Sequence, residues 1–294
     1  MIVDLFFRLV FRLVSRLPLV WLHRLGGMAG WLVYACSGSY RRRLRANLAQ
    51  AVGEPPSALL RQAVAEAGRQ GLEVCWIWLR PLDEVLAKVK AVHGRELVDA
   101  ARREGAGIVF VTPHLGCFEL AAHYCGHVGS APLTVLYRPP RYRALEPMMQ
   151  AGRIRGQVTT APADFAGVRQ LLKALRAHDM VGILPDQVPG EGEGVWVDFF
   201  GCPAWTMTLG MRLAEVRGVR TIYVWVERLP RGEGYAVHYS LPVEAPTGDL
   251  AARCAAMNRE LERIIRQCPA QYLWGYNRYK RPRSQRGQEG EAGP

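Results

Sequence analysis

The sequence predicts an α/β fold, in which a mixed, mostly parallel sheet is flanked by helices and preceded by a separate N-terminal helical segment. Three observations support this prediction. From residue 94 onward, short apolar runs of the kind that form strands buried on both faces alternate with segments of helical periodicity. Of the 294 residues, 49% are hydrophobic, which is enough to build one large core. The first 45 residues differ from the rest because basic and apolar side chains are interleaved there.

Residues 1–45 are expected to form an N-terminal membrane-associated helical segment. Arg8, Arg12 and Arg16 are spaced by four residues, so they lie along one face of a helix whose other positions are largely apolar. The first 50 residues contain eight arginines and one acidic residue, which gives +7 of the net charge of +12. Cations beside an apolar face are typical of a helix that lies in a bilayer interface and contacts lipid phosphates.

Other interpretations of this segment remain open. Residues 17–36 are apolar enough to suggest a spanning helix, although Pro18, Arg24 and the Gly26–Gly27 pair interrupt the run. A cleaved signal peptide is disfavoured, because the cations run through the apolar stretch instead of preceding it. A buried amphipathic helix of a soluble protein and a basic arm that binds nucleic acid are further alternatives. The apolar residues between the arginines favour the interpretation as a membrane-associated helix.

The remaining elements are predicted from local patterns. Pro55–Pro56–Ser57 begins a helix that Pro81 ends. The later helices are predicted at residues 94–104, 120–124, 144–154 and 164–177, and the strands at residues 107–112, 133–137, 157–160, 180–184, 219–226 and 235–240, the last two as an antiparallel pair. We therefore assign residues 46–282 to one α/β domain and expect residues 283–294, rich in Gly, Gln, Glu and Arg, to be disordered.

Composition also bears on partners and compartment. Arginine supplies 34 of the 38 cations, and its planar guanidinium suits phosphates and carboxylates, so an anionic partner is expected. The seven cysteines are odd in number and form no Cys-x-x-Cys pair. They predict buried, reduced thiols instead of a disulfide framework, with the folded domain facing the cytoplasm.

The first polar segment after a predicted strand contains His114 and Glu119. In one continuous helix these side chains would lie roughly 140° apart. Pro113 and Gly116 are expected to form a turn instead, so that Glu119 reaches back to His114 from the first turn of a helix. A carboxylate bonded to one imidazole nitrogen makes the other a better base, as the deprotonation of a hydroxyl requires. A structural histidine is the alternative.

Two further predicted strands, at residues 133–137 and 180–184, also end in polar residues. Arg138 follows the first of these on a proline-stiffened turn, which suits a phosphate or an oxyanion. Asp186 and Gln187 follow the other, ahead of the glycine-rich residues 189–194, which are interpreted as a lid or substrate loop. The segment lacks the Gly-Lys-Ser/Thr of a P-loop, and the chain contains no Gly-x-Ser-x-Gly, so nucleotide binding and a serine nucleophile are disfavoured.

The sequence disfavours a metal site. Fourteen residues contain six potential ligands, His114, Cys117, Glu119, His123, Cys125 and His127. Zinc accepts these residue types, but their spacing matches no standard zinc motif. We therefore expect the protein to need neither a metal nor another cofactor.

Taken together, the polar segments resemble those of the bacterial late acyltransferases of lipid A biosynthesis, the lauroyl- and myristoyltransferase type. These belong to the lysophospholipid acyltransferase superfamily with its H-x4-D/E motif. The resemblance extends over nearly the whole chain and rests on residues 114–119, 137–139, 186–187, 198–204 and 269–274, with Arg278, Lys280, Arg281 and Pro282. The sequence departs from the family at His-Leu-Gly-Cys-Phe-Glu, where an Asn-Trp pair commonly precedes the acid.

The resemblance implies an enzyme of the inner membrane, on its cytoplasmic face, that moves a fatty acyl chain from acyl carrier protein to a hydroxyl of a lipid A precursor. It implies that His114 takes the hydroxyl proton, Glu119 orients the imidazole, and the hydroxyl attacks the thioester directly. Arg138 would bind an anionic group of the acceptor or carrier, and Asp186 with Gln187 would shape the site.

The implied partners are acyl carrier protein, a membrane lipid acceptor and the membrane surface, and not nucleic acid. Two alternatives remain. The same residues would serve an acyltransferase for another membrane lipid, such as a lysophospholipid or an aminolipid. A non-enzymatic protein that binds membranes or nucleic acid would explain the charge, but not the polar residues at three strand ends.

Overall fold

The computed structural model of the chain describes residues 2–140 and 146–282, with the side chains of the first helix described from Leu9 onward. The helices are α1 (Ile2–Ser15), α2 (Leu19–Cys36), α3 (Gly38–Val52), α4 (Ser57–Leu79), α5 (Leu82–Leu86), α6 (Arg95–Arg103), α7 (Phe118–Gly129), α8 (Glu146–Arg153), α9 (Phe165–Arg176), α10 (Leu209–Ala214) and α11 (Leu250–Ile265). The strands are β1 (Val89–His93), β2 (Gly107–Val111), β3 (Leu133–Tyr137), β4 (Val158–Pro162), β5 (Met180–Ile183), β6 (Gly194–Phe199), β7 (Cys202–Met207), β8 (Val219–Arg228) and β9 (Tyr235–Ser240). The tail predicted to be disordered, residues 283–294, lies outside the described residues.

Seven strands form one mixed sheet in the order β1-β9-β8-β2-β5-β3-β4. Neighbouring strands run parallel except β8 and β9, which are antiparallel. This confirms the prediction of an α/β fold with a mostly parallel sheet and a late antiparallel pair. Strand β5 lies between β2 and β3, although it follows both in the chain, so the ends of these three strands meet at one edge.

The sheet separates two hydrophobic cores, because successive strand residues point to opposite faces. On one face Val109 and Val111 of β2 pack with residues of α9, α10 and α11. On the other face Ile108 and Phe110 pack with residues of α6 and α7. All five residues of β2 are buried, as its uninterrupted apolar sequence predicts.

Helices α2 and α4 pack closely through glycine residues. A Cβ atom at Gly30 would lie 2.3 Å from the carbonyl oxygen of Val64, and one at Gly68 would lie 2.0 Å from that of Gly26. The glycines that interrupt the apolar run in the sequence therefore allow two backbones to approach each other. The helix predicted from Ser57 is confirmed, and it ends at Leu79, before Pro81.

The N-terminal segment folds into the helices α1, α2 and α3. Within the described ranges, no helix combines the length and the apolarity that crossing a bilayer requires. One side of α2 packs on α4, and the other side exposes large apolar side chains, among them Trp21, Leu25, Met28 and Leu32. Their spacing of four, three and four residues places them along one face of the helix. We call these four residues the α2 stripe.

Several elements of the fold were not predicted, among them the helices α5, α10 and α11. Strand β1 extends the sheet beside β9 with five residues, of which Lys90 and His93 are exposed. The hairpin of β6 and β7 forms directly after the glycine-rich turn, and α11 covers β6. Strand β1 lies at the edge of the sheet, and neither β6 nor β7 alternates regularly between apolar and polar residues, so local patterns did not reveal these strands.

Candidate active site

A cavity of about 760 Å³ lies where β2, β5 and β3 end. This is the edge at which ligands bind in open α/β sheets, and the volume falls within the range typical of ligand sites. Its lining is mostly apolar and includes Phe118, Val135, Val168, Ile183 and Leu209. Polar side chains also line it, among them His114, Glu119, Arg138, Arg153 and Gln187.

His114 pairs with Asp186, not with Glu119. The imidazole Nδ1 lies 2.7 Å from Oδ1 of Asp186, and the backbone N–H of His114 donates to Oδ2 at 2.8 Å. Val111 and Ile183 are register partners in neighbouring parallel strands, and each of the two site residues follows its strand by three positions. The topology therefore brings the side chains together.

The protonation of the pair follows from these contacts. Asp186 is 1% exposed, and burial alone would raise its pKa. The two hydrogen bonds that His114 donates, and its positive charge whenever the ring is protonated, outweigh burial and hold the pKa of Asp186 below its usual value. The ionised carboxylate accepts, so Nδ1 carries the ring proton and Nε2 is the acceptor. Nε2 lies 3.1 Å from the amide nitrogen of Gln187, which donates to it.

The expected hydrogen bond from Glu119 to His114 is absent from the site, and this part of the prediction is wrong. Glu119 lies in the first turn of α7, and its carboxylate accepts from Trp78 Nε1 at 3.0 Å and from Arg153 Nε at 3.0 Å. Arg153 Nη2 forms a second bond to the same carboxylate. Helices α4 and α8 thus supply the partners of Glu119, because β5, and not α7, carries the carboxylate that reaches His114.

Glu119 and Arg153 form a partly buried ion pair in the cavity wall. Burial raises the pKa of Glu119, but the charge and hydrogen bonds of Arg153 lower it more, so the net direction is down. The guanidinium of Arg153 also lies over the ring of Trp78, with its carbon 5.5 Å from the ring centroid. The pair therefore holds the guanidinium of Arg153 in fixed orientation in the wall of the cavity that His114 also lines.

The turn that carries His114 is fixed by distant parts of the chain. The N–H of Gly116 donates to Gln271 O at 3.0 Å, and the N–H of Leu273 donates to His114 O at 3.1 Å. Gly116 has φ +57, and a Cβ atom there would lie 1.9 Å from Val226 O. The predicted turn at Gly116 is confirmed, and only glycine fits it.

Arg138 stands at the mouth of the cavity. Its side chain is 59% exposed, and its Nη2 lies 3.7 Å from the carboxylate of Glu193. Arg212 of α10 lines the same cavity and is also exposed. A negatively charged group of a substrate can reach both cations from solvent.

The cysteine and histidine residues considered as metal ligands do not converge. Burial raises the pKa of Cys117 well above its usual value, and nearby Glu73 adds to the shift, so the thiol is protonated at neutral pH. His123 is buried, and burial followed by the charge of Arg155 lowers its pKa to about 4. Among residues 2–140 and 146–282, no three His, Cys, Asp or Glu side chains are grouped as metal ligands would be.

Comparison with known proteins identifies the family. The family model described as bacterial lipid A biosynthesis acyltransferase matches residues 2–281. The chain belongs to this family. The resemblance deduced from the motifs is therefore confirmed, and the observed fold is that of a lipid A biosynthesis acyltransferase.

Individual relatives agree with the family. The chain is 27% identical to the lipid A biosynthesis lauroyltransferase of Escherichia coli (strain K12) over 275 residues, 91% of this chain and 88% of the relative. It is 25% identical to the palmitoleoyltransferase of the same organism over 258 residues, 87% and 83% of the two chains. It is 24% identical to the E. coli myristoyltransferase over 263 residues, 86% and 78% of the two chains.

In this acyltransferase family member, the structure brings together three of the five predicted site residues. His114, Asp186 and Gln187 form one hydrogen-bonded group, Arg138 lies at the mouth, and Glu119 lies in the wall with Arg153. Sequence reasoning missed Arg153, together with Trp78 and Arg212. Arg153 ends a helix instead of a strand, so the rule that polar residues gather at strand ends did not select it.

Proposed function

We propose that this family member transfers a fatty acyl chain from acyl carrier protein to a hydroxyl of a lipid A precursor at the cytoplasmic face of the inner membrane. The observation that carries the proposal is the His114–Asp186 pair, whose histidine lines a largely apolar cavity. A neutral imidazole held by a carboxylate is suited to deprotonating a hydroxyl, and apolar walls suit an acyl chain.

In the proposed reaction, Nε2 of His114 takes the proton of the acceptor hydroxyl while its oxygen attacks the thioester carbonyl carbon. The C–O bond forms, the tetrahedral intermediate collapses, and the C–S bond breaks. The thiolate of the carrier leaves and takes the proton back from the imidazolium. Asp186 stabilises the imidazolium between these steps, because its ionised oxygen stays on Nδ1.

Gln187 is assigned to the oxyanion. Its amide donates to Nε2 in the structure, so an incoming hydroxyl has to replace that hydrogen bond. The released N–H group is then free to donate to the thioester carbonyl oxygen. A donor at this place stabilises the charge that develops in the tetrahedral intermediate.

Glu119 is assigned to positioning Arg153. The carboxylate holds the guanidinium through Nε and Nη2, and Trp78 supports it from one side. A guanidinium with fixed orientation suits an anionic group of the acceptor, such as a phosphate. Arg138 is assigned to an anionic group of the acceptor or the carrier at the mouth of the cavity.

Attachment to the membrane is assigned to the N-terminal helices. The α2 stripe, Trp21, Leu25, Met28 and Leu32, is exposed on a helix whose opposite side packs on α4. The guanidinium of Arg24 lies over the ring of Trp21, 4.8 Å from its centroid, and brings a cation to the border of the stripe. An apolar face bordered by arginine supports a helix that lies in the bilayer interface.

The test is transfer by the purified protein in detergent micelles. Acyl carrier protein charged with a fatty acyl chain is supplied with a lipid A precursor, a lysophospholipid or an aminolipid, and lipid products are measured by mass spectrometry. The expected result is transfer to the lipid A precursor, lost in His114→Ala. Preferred transfer to another lipid would establish the alternative acceptor. Salt-dependent DNA binding without thioester consumption would favour a binding protein.

The same preparation tests direct attack. Incubation with the charged carrier alone should leave the protein unacylated in its intact mass, because the buried thiol of Cys117 is protonated and the chain has no elbow serine. Activity should persist in a chelator. A stoichiometric acyl adduct, or inhibition that zinc reverses, would contradict the proposed reaction.

A further inference from the structure

Helix α9 has an exposed face that the proposed reaction does not use. Phe165, Arg169, Lys173 and Arg176 are all exposed, and their spacing of four, four and three residues places them on one side of the helix. Phe165 is 89% exposed. The opposite side of α9 buries Leu171 and Leu175 against the sheet. We call the four exposed residues the α9 stripe.

The cations of this stripe carry uncompensated positive charge. The sequence of α9 contains no acidic residue, and Arg169, Lys173 and Arg176 form no ion pair with any residue that the structure describes. Some other exposed arginines are paired, for example Arg95 with Asp99 and Arg220 with Glu104. The α9 stripe is therefore a surface that attracts anions.

The stripe begins at the mouth of the active-site cavity. Phe165 is one of the residues that line the cavity. The start of α9 is fixed, because the Asp164 carboxylate accepts from the N–H of Gly167 at 3.0 Å, and a Cβ atom at Gly167 would collide with Pro162 O. From Phe165 to Arg176 the helix rises about 16 Å, at 1.5 Å per residue. One end of a partner bound along α9 would therefore lie at the mouth of the cavity.

We propose that the α9 stripe is the docking surface for the acidic carrier protein that delivers the acyl thioester, an inference that rests on the proposed function. Three cations within two helical turns match the acidic side chains of a folded partner helix, and Phe165 adds one apolar contact at the end nearest the cavity. A carrier docked there places its thioester arm at the mouth, where the exposed guanidinium of Arg138 can bind the phosphate of the arm.

The observations favour a protein over a lipid surface as the partner. The α9 stripe contains one aromatic side chain and three cations, whereas the α2 stripe exposes four large apolar side chains. The two stripes also belong to different parts of the fold. Helix α9 packs on β4, β3, β5 and β2, and α2 packs on α4 and the connection between β8 and β9. A helix face with a single apolar residue buries little apolar area in a bilayer interface and therefore binds it weakly.

The test compares a charge-reversed α9 stripe with a matched control. The first variant carries Arg169→Glu, Lys173→Glu and Arg176→Glu. The control carries Arg61→Glu, Lys90→Glu and Arg103→Glu, three exposed cations outside the cavity with the same change in net charge. Initial rates are measured with the charged carrier protein and with a small soluble acyl thioester as donors, and carrier binding is measured directly by titration.

The expected result is confined to the carrier protein. In the α9 variant the KM for the carrier protein and the dissociation constant of the carrier should rise about tenfold or more at low salt. High salt should reduce this difference from the wild type. Values of kcat, and the rates with the small thioester, should stay near those of the wild type. The control variant should behave like the wild type with both donors.

Three outcomes would overturn the proposal. The first is an affinity of the α9 variant for the carrier that equals that of the wild type. The second is an equal effect on the rates with both donors. The third is a variant that loses only its binding to anionic vesicles, which would identify a lipid surface. Failure of the proposed function is distinguishable, because a wild type that binds the carrier and transfers no acyl group would contradict the reaction and not the docking surface.

Discussion

At the scale of single residues, two carboxylates near the cavity have different partners. Asp186 holds the histidine that is assigned as the base, and Glu119 holds the guanidinium of Arg153. Both carboxylates are ionised, because a neighbouring cation or hydrogen-bond donor overcomes the effect of burial on each pKa. Isosteric amides remove the charge with little change in volume, so they separate the two roles.

We expect Asp186→Asn to lower kcat about 10²- to 10⁴-fold, because the amide neither stabilises the imidazolium nor fixes the proton on Nδ1. Glu119→Gln should act mainly on the KM of the lipid acceptor, because a neutral amide no longer holds Arg153 in place. Steady-state kinetics with varied acceptor measure both effects. Thermal unfolding of each variant controls for damage to the fold.

The assignment would be contradicted if the two results were exchanged. A loss of kcat in Glu119→Gln with an unchanged KM for the acceptor would place that carboxylate in the proton transfer. Near wild-type turnover in Asp186→Asn would remove Asp186 from it.

A second buried ion pair lies outside the cavity, and its contacts predict how the stability of the protein depends on pH. The carboxylate of Glu73 accepts from Arg228 Nε at 2.9 Å, and Arg228 also binds Glu66. Burial alone would raise the pKa of Glu73, but the charge and hydrogen bond of Arg228 lower it from 4.5 to about 2. The pair ties α4 to the end of β8.

Because the folded pKa of Glu73 is lower than the unfolded one, its stabilisation is fully present above about pH 5 and is lost as the pH falls towards 2. The contribution is on the order of 3 kcal/mol. We expect Glu73→Gln to lower the free energy of unfolding at pH 7 and to weaken its decrease between pH 5 and pH 2. Denaturant unfolding at several pH values measures this. An unchanged pH dependence would contradict the assignment.

At the scale of elements, the turn between β2 and α7 depends on one glycine. Gly116 has φ +57, and the Cβ atom of any other residue would meet the carbonyl oxygen of Val226 at 1.9 Å. Gly105 also has a positive φ, +69, but a Cβ atom there would have no neighbour within 4 Å. The two positions therefore separate the cost of backbone conformation from the cost of collision.

We expect Gly105→Ala to cost roughly 1 kcal/mol of unfolding free energy, the conformational penalty alone. Gly116→Ala should cost more and should also lower kcat, because the turn must shift and carries His114 away from Asp186. Unfolding curves and transfer rates of the two variants measure this. Equal stability losses, with full activity in Gly116→Ala, would show that the turn tolerates a side chain.

At the scale of the whole molecule, the exposed α2 stripe is expected to control membrane attachment. Met28 and Leu32 are 69% and 65% exposed, so replacing them leaves the contact between α2 and α4 in place. Met28→Glu with Leu32→Glu should release much of the protein from lipid vesicles, because charges cannot enter the apolar part of the interface. Flotation with vesicles measures the bound fraction.

A matched control uses two other exposed apolar residues. Leu241 and Val243 follow β9 and are exposed outside the α2 stripe. Leu241→Glu with Val243→Glu adds the same charge and should leave vesicle binding unchanged. Equal release of the two double variants would mean that net charge, and not the stripe, determines attachment.

Most local elements and the residue types of the site could be predicted without a structure. The helix from Ser57 to Leu79, the strand from Leu133 to Tyr137 and the turn at Gly116 were predicted from apolar period, proline and glycine. These patterns depend on residues that are close in the sequence, so they can be recognised without a structure. The family was also evident from the order of its motifs.

Which side chains meet in the site depends on the packing of segments that are distant in the chain. The sequence places Glu119 five residues from His114 and Asp186 seventy-two residues away, and it favoured the near carboxylate. Strand β5 inserts between β2 and β3, however, so Asp186 arrives beside His114. Strand order depends on packing between distant segments, and neither apolar periodicity nor turn residues encode it directly. For the same reason the sequence did not reveal Arg153. This residue ends a helix, and it lines the cavity because α8 packs there.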